Sequence, residues 1–559
     1  MRQALGALLV VLMVALAGCA GAGTQPTGGA GAGAGLSDIN PAPREKVRDG
    51  GDLRWPIDSL PDNYNYNQFS GTSGAARDIV GAVMPHLFVA TSDGGLVRNA
   101  DYLTSADVTA SSPKQTVTYW INPSAVWSNG TPITWRDFEA QWRALSGRDP
   151  SYQTASTTGY DDIESVRPGT DNDQVVVTFS RPFAEWQALF SPLYPVDTNA
   201  TPTSFNTNLI GKLPITSGPF DLDSINTDDQ TVTVRRSVTW WGEPPKLDRI
   251  IFTVVDRSSL ADALADNRID FYKIGSSVTL RQRAQSIPGV AIRRSPDREY
   301  NQITFNGAPG AILSDLRIRQ AVAQSIDRTG LARRLVGQIV PDVVQLGNHI
   351  YPYGSKYYVD NSAVIPYNPI GAGQALDALG WTRGPDGIRA KNGQPLTLRM
   401  TEGVPNPIAT MIDQTVRDQL AQIGVNVTIQ TMPLAIQADR YRRGDFDLAV
   451  FAWEQTATPF SSSRGIYDQP AGEDDADVRQ NYGRIFDQRV DTLFDQGLAE
   501  LDDTKRAAIG NQIDQLLWQD VHDLPLYPST GAYVVRASLA NFGAPGFADV
   551  DYVNAGYLK

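Results

Sequence analysis

Residues 395–430 read PLTLRMTEGVPNPIATMIDQTVRDQLAQIGVNVTIQ, and this stretch decides the fold. PLTLRM and VNVTIQ alternate apolar and polar residues, which is the two-residue period of a strand. Between them, Ile412, Val416 and Leu420 form one apolar stripe of a helix that ends at Gly424. A strand, a helix and a second strand in this order predict a right-handed crossover between two parallel strands.

The residues that follow extend the same α/β pattern. A helix is predicted from about residue 434 to 443, with its end at Gly444. FDLAVFAW, residues 446–453, is an apolar run typical of a buried strand.

Two loops after these strands are candidates for ligand binding, because open α/β sheets bind ligands beyond the carboxyl ends of their strands. TEGVPNP, residues 401–407, follows a strand predicted to end at Met400, and EQTATPF, residues 454–460, follows a strand predicted to end at Trp453. Ordinary connections between elements are the alternative for both loops.

The first half of the chain contains more strands. QTVTYWIN, DQVVVTF and DDQTVTVRR alternate with the period of half-buried strands. TWRDFEAQWRAL, residues 134–145, has aromatic residues at helical spacing, and SDLRIRQAVAQSID, residues 314–327, predicts a helix capped by Ser314.

The amino-terminal residues have the features of an export signal. A basic residue, Arg2, precedes a short apolar run that is followed by small residues. Leu16-Ala17-Gly18-Cys19 resembles the bacterial lipobox, in which the cysteine is acylated, and two or more acyl chains anchor a protein stably at a membrane. We therefore expect a signal peptide over residues 1–18, a lipidated Cys19, and a flexible linker rich in glycine and alanine through residues 19–45.

Composition argues against several classes of function. The net charge is -13, with 61 acidic and 48 basic residues and no basic block, so nucleic acid is not an expected partner. Three separated histidines and a single cysteine offer little material for a metal or redox site, and no cofactor or metal is expected. A G-x-S-x-G nucleophile motif is also absent from the sequence. A pair of carboxylates for glycoside hydrolysis stays open, since an acidic chain offers many pairs.

A colinear series of motifs resembles one family. GGDLRWPIDSLPDNYN, VWSNGTPITWRDFEAQW, TSGPF, PPKLDRIIFTVV, LADNRIDF, NGAPGAILSDLRIRQAVAQSIDR, ALDALGWTRGPDGI, DQLAQIGVNV and GDFDLAVFAW succeed one another over nearly the whole chain after Cys19. In this order they resemble the extracytoplasmic solute-binding proteins of family 5, also called cluster C, which serve ABC importers of peptides.

The resemblance implies an α/β fold, a two-lobed clamshell like that of the type II periplasmic binding proteins, with an extra subdomain in lobe one. Lobe one would comprise residues 46–280, lobe two residues 281–524, and residues 525–559 would return to lobe one. The chain would cross the hinge within residues 272–300 and again within residues 524–528.

The implied function is that of a lipid-anchored receptor at the outer face of the bacterial cytoplasmic membrane. It would be a monomer without enzymatic activity that captures oligopeptides or peptide-like solutes and delivers them to a permease with its ATPases. Two alternatives remain: the same role for another bulky solute, such as a haem, a metal chelate or an oligosaccharide, and a secreted glycosidase.

Motif positions imply a set of residues lining the ligand cleft: Tyr64, Ser217, Gly218, Tyr300, Asn306, Trp453 and Glu454. Relatives that bind peptides often hold the amino terminus of the ligand with an acidic residue shortly after the FAW strand. Thr456 occupies the aligned position here, so Glu454 is the substitute, and the loop matching TEGVPNP lacks the arginine of dipeptide-specific relatives. We therefore expect a ligand longer than a dipeptide, or a non-peptide solute.

Overall fold

The predicted strand, helix and strand are present in the computed structural model, which describes residues 35–340, 342–404, 407–469 and 478–559. The strands Thr397–Val404 and Asn426–Pro433 pair in parallel, beginning with Thr397 opposite Asn426. The helix Pro407–Gln422 joins them and buries Ile412, Val416 and Leu420 completely. These contacts confirm the predicted crossover, and Gly424 has the positive φ of +80° that lets the chain leave the helix.

Strands of the described residues are numbered in chain order. They are β1 (Asp52–Ile57), β2 (Phe88–Ala90), β3 (Leu96–Arg98), β4 (Leu103–Ala110), β5 (Thr116–Ile121), β6 (Ile163–Pro168), β7 (Gln174–Phe179), β8 (Phe220–Asn226), β9 (Thr231–Arg236), β10 (Arg249–Val254), β11 (Phe271–Lys273), β12 (Val290–Phe305), β13 (Thr382–Arg383), β14 (Arg389–Lys391), β15 (Gln394–Pro395), β16 (Thr397–Val404), β17 (Asn426–Pro433), β18 (Leu448–Glu454), β19 (Asp523–Arg536), β20 (Leu539–Ala540) and β21 (Gly556–Tyr557).

The α-helices of the same residues are numbered likewise. They are α1 (Gly74–Val83), α2 (Trp135–Leu145), α3 (Val196–Asn199), α4 (Pro202–Thr207), α5 (Leu260–Ala265), α6 (Val278–Ala284), α7 (Leu316–Gln324), α8 (Arg328–Val336), α9 (Pro369–Ala378), α10 (Pro407–Gln422), α11 (Leu434–Arg443), α12 (Pro459–Tyr467), α13 (Gln488–Ala499) and α14 (Asp503–Asp520). Within the described ranges, no helix combines the length and the apolar composition that crossing a bilayer requires.

A six-stranded sheet has the order β11-β19-β12-β18-β16-β17. Its longest pairing is antiparallel, between β12 and β19, with Val290 opposite Arg536 at one end and Thr304 opposite Asp523 at the other. The first predicted hinge crossing, residues 272–300, runs from β11 through α6 into β12, and the second, residues 524–528, lies in β19. Their role as a hinge stays a prediction.

Two further sheets come from the first half of the chain. One has the order β1-β10-β9-β8, in which β1 and β10 are parallel with Asp52 opposite Arg249. The other is antiparallel, with the order β4-β5-β7-β6, and lies in the part of the chain where the extra subdomain is expected. β5, β7 and β9 confirm the strands predicted from alternation. With the six-stranded sheet, these layers form the two-lobed α/β architecture.

Helix α2 is stabilised by a cap at its amino end and by aromatic residues on its buried face. Thr134 and Asp137 form a reciprocal capping box, in which the Asp137 carboxylate accepts a 2.9 Å bond from the Thr134 backbone N–H. Phe138 and Trp142 are buried on the inner face. The cap fixes the first turn, and the aromatic pair attaches the helix to the sheet.

Two predicted boundaries are wrong. The cap of α7 is Asp315, whose carboxylate accepts a 3.0 Å bond from the Arg317 N–H, because Ser314 belongs to a short 3-10 turn before the helix. Strand β16 does not end at Met400, because its ladder with β17 continues to Val404 opposite Pro433. The predicted ends of α11 at Gly444, with φ +68°, and of the apolar strand near Trp453 are confirmed.

The packed chain begins before the predicted boundary at residue 46. The Asp38 N–H donates a 2.8 Å bond to the Ala544 carbonyl, and the Asp38 carboxylate lies 3.1 Å from Arg293. Arg44 donates a 2.8 Å bond to the side chain of Asn554. Part of the stretch assigned to the linker is therefore attached to the folded body by polar contacts that its composition does not reveal. The signal peptide, Cys19 and the first part of the linker lie outside the described residues.

Candidate functional site

A cavity of about 880 Å³ has Glu454, one of the predicted cleft residues, in its wall. Its wall takes residues from β1, the first half of α1, β11 and the middle of β12, together with Glu454 at the end of β18 and the carboxyl-terminal segment 545–553. Because β1 belongs to one sheet and β12 and β18 belong to the other, the cavity is built by both. A site of this volume falls in the range of about 300–1,000 Å³ that small-molecule ligands occupy.

Helix α1 and strand β18 are joined across the cavity by an ion pair. Ser73 caps α1 by accepting a 3.1 Å bond from the Ala76 N–H, and Arg77 and Asp78 follow where the first turn leads into the second. The Arg77 guanidinium lies 3.2 Å from Glu454 Oε1 and 3.5 Å from Asp78 Oδ1. Burial raises the pKa of Asp78, whereas for Arg77 the two carboxylates outweigh burial and raise its pKa.

The remaining basic side chains of the wall also have partners. Lys273 lies 2.5 Å from Asp297, and that carboxylate raises the lysine pKa against the opposing effect of burial. Arg298 lies 2.9 Å from Asp549 and donates a 2.6 Å bond to a backbone carbonyl. Arg257 donates a 2.9 Å bond to the Ile274 carbonyl.

Carboxylates outnumber these basic groups. Eight acidic side chains line the cavity: Asp58, Asp78, Asp101, Asp297, Glu299, Glu454, Asp549 and Asp551. The four basic residues of the wall are Arg77, Lys273, Arg298 and Arg257. The cavity therefore has a formal excess of negative charge, and among the described residues of its wall no basic group lacks a partner.

Aromatic rings form the apolar part of the wall. Trp55 on β1 stacks on Tyr552 with centroids 6.2 Å apart and meets Phe271 edge-on at 5.0 Å. A second group contains Tyr102 and Trp240, whose ring centroids are 5.8 Å apart. Rings beside carboxylates suit a ligand that has both apolar and charged parts.

Of the residues predicted to line the cleft, Glu454 lies in the cavity wall. Trp453, next to it, is half-buried and stacks on Tyr482 with a centroid distance of 6.0 Å. The hydroxyl of Thr456 accepts a 3.1 Å bond from the Thr458 N–H at the turn into α12, and Thr456 is not among the residues of the cavity wall.

The other predicted residues are buried in packing positions. Tyr64 is 0% exposed and its carbonyl accepts a 2.6 Å bond from the Tyr194 hydroxyl. Ser217 donates a 2.7 Å bond to the Val126 carbonyl, and at Gly218 a Cβ atom would lie 2.6 Å from the backbone of α1. The glycine thus permits a close approach of two backbone segments.

Tyr300 and Asn306 lie on and just after β12. The Tyr300 hydroxyl is 3.5 Å from the Tyr467 hydroxyl, and Asn306 donates bonds of 2.9 Å and 2.7 Å to the carbonyls of Gly444 and Phe446. Asn306 therefore holds the end of α11 near the start of β18. Contact of these buried residues with a ligand stays a prediction.

The loop of residues 401–407 includes positions 405 and 406, which lie outside the described residues. Its Glu402 is buried and accepts a hydrogen bond from the Thr410 hydroxyl. The cavity wall includes neither Glu402 nor Thr410, whereas Glu454 from the second predicted loop does line it.

The three histidines do not form a metal centre. His86 lines the cavity, and burial lowers its pKa and favours the neutral ring. His349 and His522 are buried, and the His349 ring nitrogen Nδ1 lies 2.6 Å from Asp514. Over the described ranges, no three histidine, cysteine, aspartate or glutamate side chains are placed to hold a metal ion.

Several wall residues were missed by the sequence reasoning, namely Arg77, Asp78, Asp101, Trp240, Asp549 and Tyr552. They come from three distant parts of the chain, residues 77–101, residue 240 and residues 549–552, and no local pattern groups them. The run of aromatic residues with glycine and proline in TWWGEPP was the one available signal, because it contains Trp240.

Comparison with known sequences finds a relative that is similar over nearly the whole chain. Residues 92–474 match the model of the bacterial extracellular solute-binding proteins, family 5 middle. The chain is 38% identical over 560 residues to the oligopeptide-binding protein OppA of Mycobacterium tuberculosis, with 99% of this chain and 93% of the relative covered.

Two solved structures have the same fold. The periplasmic EDTA-binding protein EppA is 25% identical, with a TM-score of 0.84 over 93% of this chain and 98% of the other. The oligopeptide-binding protein AppA of Bacillus subtilis, solved with a nonapeptide, is 19% identical, with a TM-score of 0.70 over 92% of this chain and 100% of the other. They match the two-lobed α/β architecture.

Proposed function

The chain belongs to family 5 of the bacterial extracellular solute-binding proteins, and we propose that it captures oligopeptides for an ABC importer. The observation that carries the proposal is the cavity of about 880 Å³ built from both sheets, in a chain 38% identical to an oligopeptide-binding protein. The receptor closes on its ligand and presents the complex to a permease with its ATPases. Closure is driven by the difference in ligand affinity between the closed and open states.

The ligand is a peptide longer than two residues. In the described part of the wall every basic side chain already has a carboxylate or carbonyl partner. No unpaired basic group is therefore placed there to bind the carboxylate of a dipeptide. A longer peptide obtains its affinity from backbone hydrogen bonds and from side chains along the cavity instead. Calorimetric titration of alanine peptides of two to six residues tests this. Peptides of four or more residues should bind tightest, and tightest binding of the dipeptide contradicts the proposal.

Glu454 receives the amino terminus of the peptide. Its Oε1 is paired with Arg77, while Oε2 makes no hydrogen bond with the described residues, so an ammonium group can join the pair without displacing the arginine. Charge-assisted bonds of this kind are worth about 1.5–3 kcal/mol, which corresponds to a factor of roughly ten or more.

Glu454→Gln should therefore weaken binding of a pentapeptide with a free amino terminus about tenfold and leave an acetylated pentapeptide unaffected. Glu139→Gln, which removes a surface carboxylate paired with Arg143, is the matched control. Unchanged affinity of Glu454→Gln for the free pentapeptide would show that this residue is not the amine anchor.

The receptor is held at the outer face of the cytoplasmic membrane by acylated Cys19 and works there as a monomer. The lipobox-like sequence Leu16-Ala17-Gly18-Cys19 supports the anchor. Cys19→Ser should move the protein from the membrane fraction to the soluble fraction. Retention of the variant with the membrane contradicts the lipid anchor. The molar mass of the soluble form, measured by light scattering, should be that of one chain.

A metal chelate is the second candidate ligand, because the structurally similar EppA is named as an EDTA-binding protein. The excess of carboxylates in the cavity disfavours an anionic chelate. A glycosidase would use two of these carboxylates, but the proposed role involves no turnover, so a panel of chromogenic glycosides should remain intact.

A further inference from the structure

The carboxylate of Asp101 is an unpartnered charge of the cavity wall. The described residues also leave the Asp58 carboxylate without a partner, but Asp58 is exposed, whereas Asp101 is partly buried. Asp101 follows β3, and its backbone is fixed on both sides: its N–H donates a 3.1 Å bond to Asn99, and its carbonyl accepts bonds from the Trp241 indole at 2.7 Å and from Asn122 at 3.0 Å. No residue of the described ranges gives the carboxylate a hydrogen bond or an ion pair. The side chain is partly buried, so the chain positions this charge without neutralising it.

An aromatic wall adjoins this carboxylate. A Cβ atom at Gly242 would lie 2.9 Å from Asp101 Oδ1 and 2.8 Å from Trp240 Nε1, which places the carboxylate and the indole edge around one point. The Trp240 N–H is occupied by a 3.0 Å bond to the Glu243 carbonyl, so it is not the partner of Asp101. The Tyr102 ring, 5.8 Å from Trp240, completes an aromatic corner.

The surrounding charges are of the same sign. Burial raises the pKa of Asp101, and the nearby charges of Asp551 and Glu243 raise it further. Asp551 accepts bonds from the Val553 and Asn554 N–H groups and from the Asn554 amide, all of them neutral donors. Glu243 is exposed and is paired with Arg44 at 3.5 Å. Within the cavity, a cation supplied from outside would relieve this repulsion.

We propose that the bound peptide carries a lysine or arginine side chain whose cationic head is received by Asp101 against Trp240 and Tyr102, with Asp551 adding long-range attraction. This assignment rests on the proposed role of the cavity in binding peptides. It uses a charge-assisted hydrogen bond to the carboxylate, while the apolar stem of the basic side chain packs against the rings. A neutral or acidic side chain at the same position lacks that hydrogen bond.

The test uses pentapeptides of alanine in which one residue is replaced by lysine, by norleucine or by glutamate, with the replaced position moved along the peptide. Norleucine has a similar unbranched side chain without the charge. At one position the lysine peptide should bind about tenfold tighter than the norleucine peptide, and the glutamate peptide should bind weakest. Equal affinity of the lysine and norleucine peptides at every position overturns the assignment.

Variants locate the effect. Asp101→Asn keeps the backbone bonds and should reduce the preference for lysine over norleucine to less than threefold, while Asp58→Asn, which removes another carboxylate of the same wall, should keep it. An undiminished preference in Asp101→Asn, folded as shown by its unfolding temperature, contradicts the role of Asp101.

The same measurements distinguish failure of the peptide function from failure of the assigned preference for a basic side chain. If wild-type protein binds peptides without regard to charge, the peptide function stands and the specificity assignment is wrong. If no pentapeptide of the set binds, the peptide function itself is overturned, together with the assignment that rests on it.

Discussion

Asp101 in the cavity wall and Asp514 in α14 are carboxylates of the same chain in opposite situations. Asp514 is 0% exposed, and its carboxylate accepts a 2.7 Å bond from the backbone N–H of His349 and a 2.6 Å bond from the side-chain amide of Asn361. The ring nitrogen Nδ1 of His349 lies 2.6 Å from the same carboxylate. Asp101 is less buried, and the described residues give its carboxylate no partner. At Asp514 the chain supplies the partners of a buried carboxylate itself, whereas at Asp101, in the wall of the cavity, it leaves the carboxylate without one.

Asp413 on α10 is as buried as Asp514, at 0% exposed, but differs from it in that neither carboxylate oxygen has a hydrogen-bond partner among the described residues. Burial, with a smaller contribution from Glu402, raises its pKa well above the ordinary value. A buried carboxylate without partners thus avoids the cost of charge by binding a proton.

Removing Asp514 should produce the largest effect. Asp514→Ala leaves the buried His349 ring and the Asn361 amide without their acceptor, and breaking a buried, hydrogen-bonded pair costs about 3–5 kcal/mol. Urea unfolding of the variant should show a loss of this size. A loss below about 1 kcal/mol would mean that the contacts of Asp514 do not stabilise the fold, and the comparison with Asp101 would fail.

Replacing Asp413 should give an intermediate effect that depends on pH. Its folded pKa is raised above the unfolded value, so the folded state favours the protonated form, and wild-type stability falls as pH rises from the unfolded pKa near 4 toward the folded pKa. Asp413→Asn removes this titration. Relative to wild type it should gain about 1–3 kcal/mol at neutral pH and nothing near pH 3.

Unfolding free energies measured at several pH values check this prediction. The difference between Asp413→Asn and wild type should grow with pH. A constant difference would show that Asp413 does not carry a raised pKa, and a difference of the opposite sign would show that its charged form is stabilised by the fold.

Asp101→Asn should have the smallest effect on stability. Because the carboxylate makes no bond within the described chain, its loss should change the free energy of unfolding by less than about 0.5 kcal/mol, as for substitutions outside packed or bonded positions. The same urea experiment measures it. A loss above about 1 kcal/mol would reveal a structural role and weaken its assignment to the ligand.

Local patterns predicted the second half of the chain well. The stripe of Ile412, Val416 and Leu420 and the two flanking alternations identified the crossover, because burial of one face dictates those periods. Glycine at position 444 marked the end of α11 for a conformational reason, since φ there is +68°. Ser314 misled because Asp315, one residue later, is an equally suitable cap.

The candidate site was predictable only in part. Family motifs led to Glu454, which lies in the cavity wall, but a motif position does not say which way a side chain faces, and Tyr64 and Asn306 are buried in packing. Asp101, Trp240 and Asp551 meet through the tertiary fold, from three distant segments. The combination of two carboxylates and an indole ring forms only when the fold brings those segments together.

The most direct test of the account is native mass spectrometry of the soluble form beginning after Cys19, purified gently so that it retains its ligand, followed by release and sequencing of what it carries. The account predicts a ladder of added masses that fragment as peptides of four or more residues, with lysine or arginine enriched at one position. A single non-peptide mass, or peptides rich in acidic residues, would contradict it.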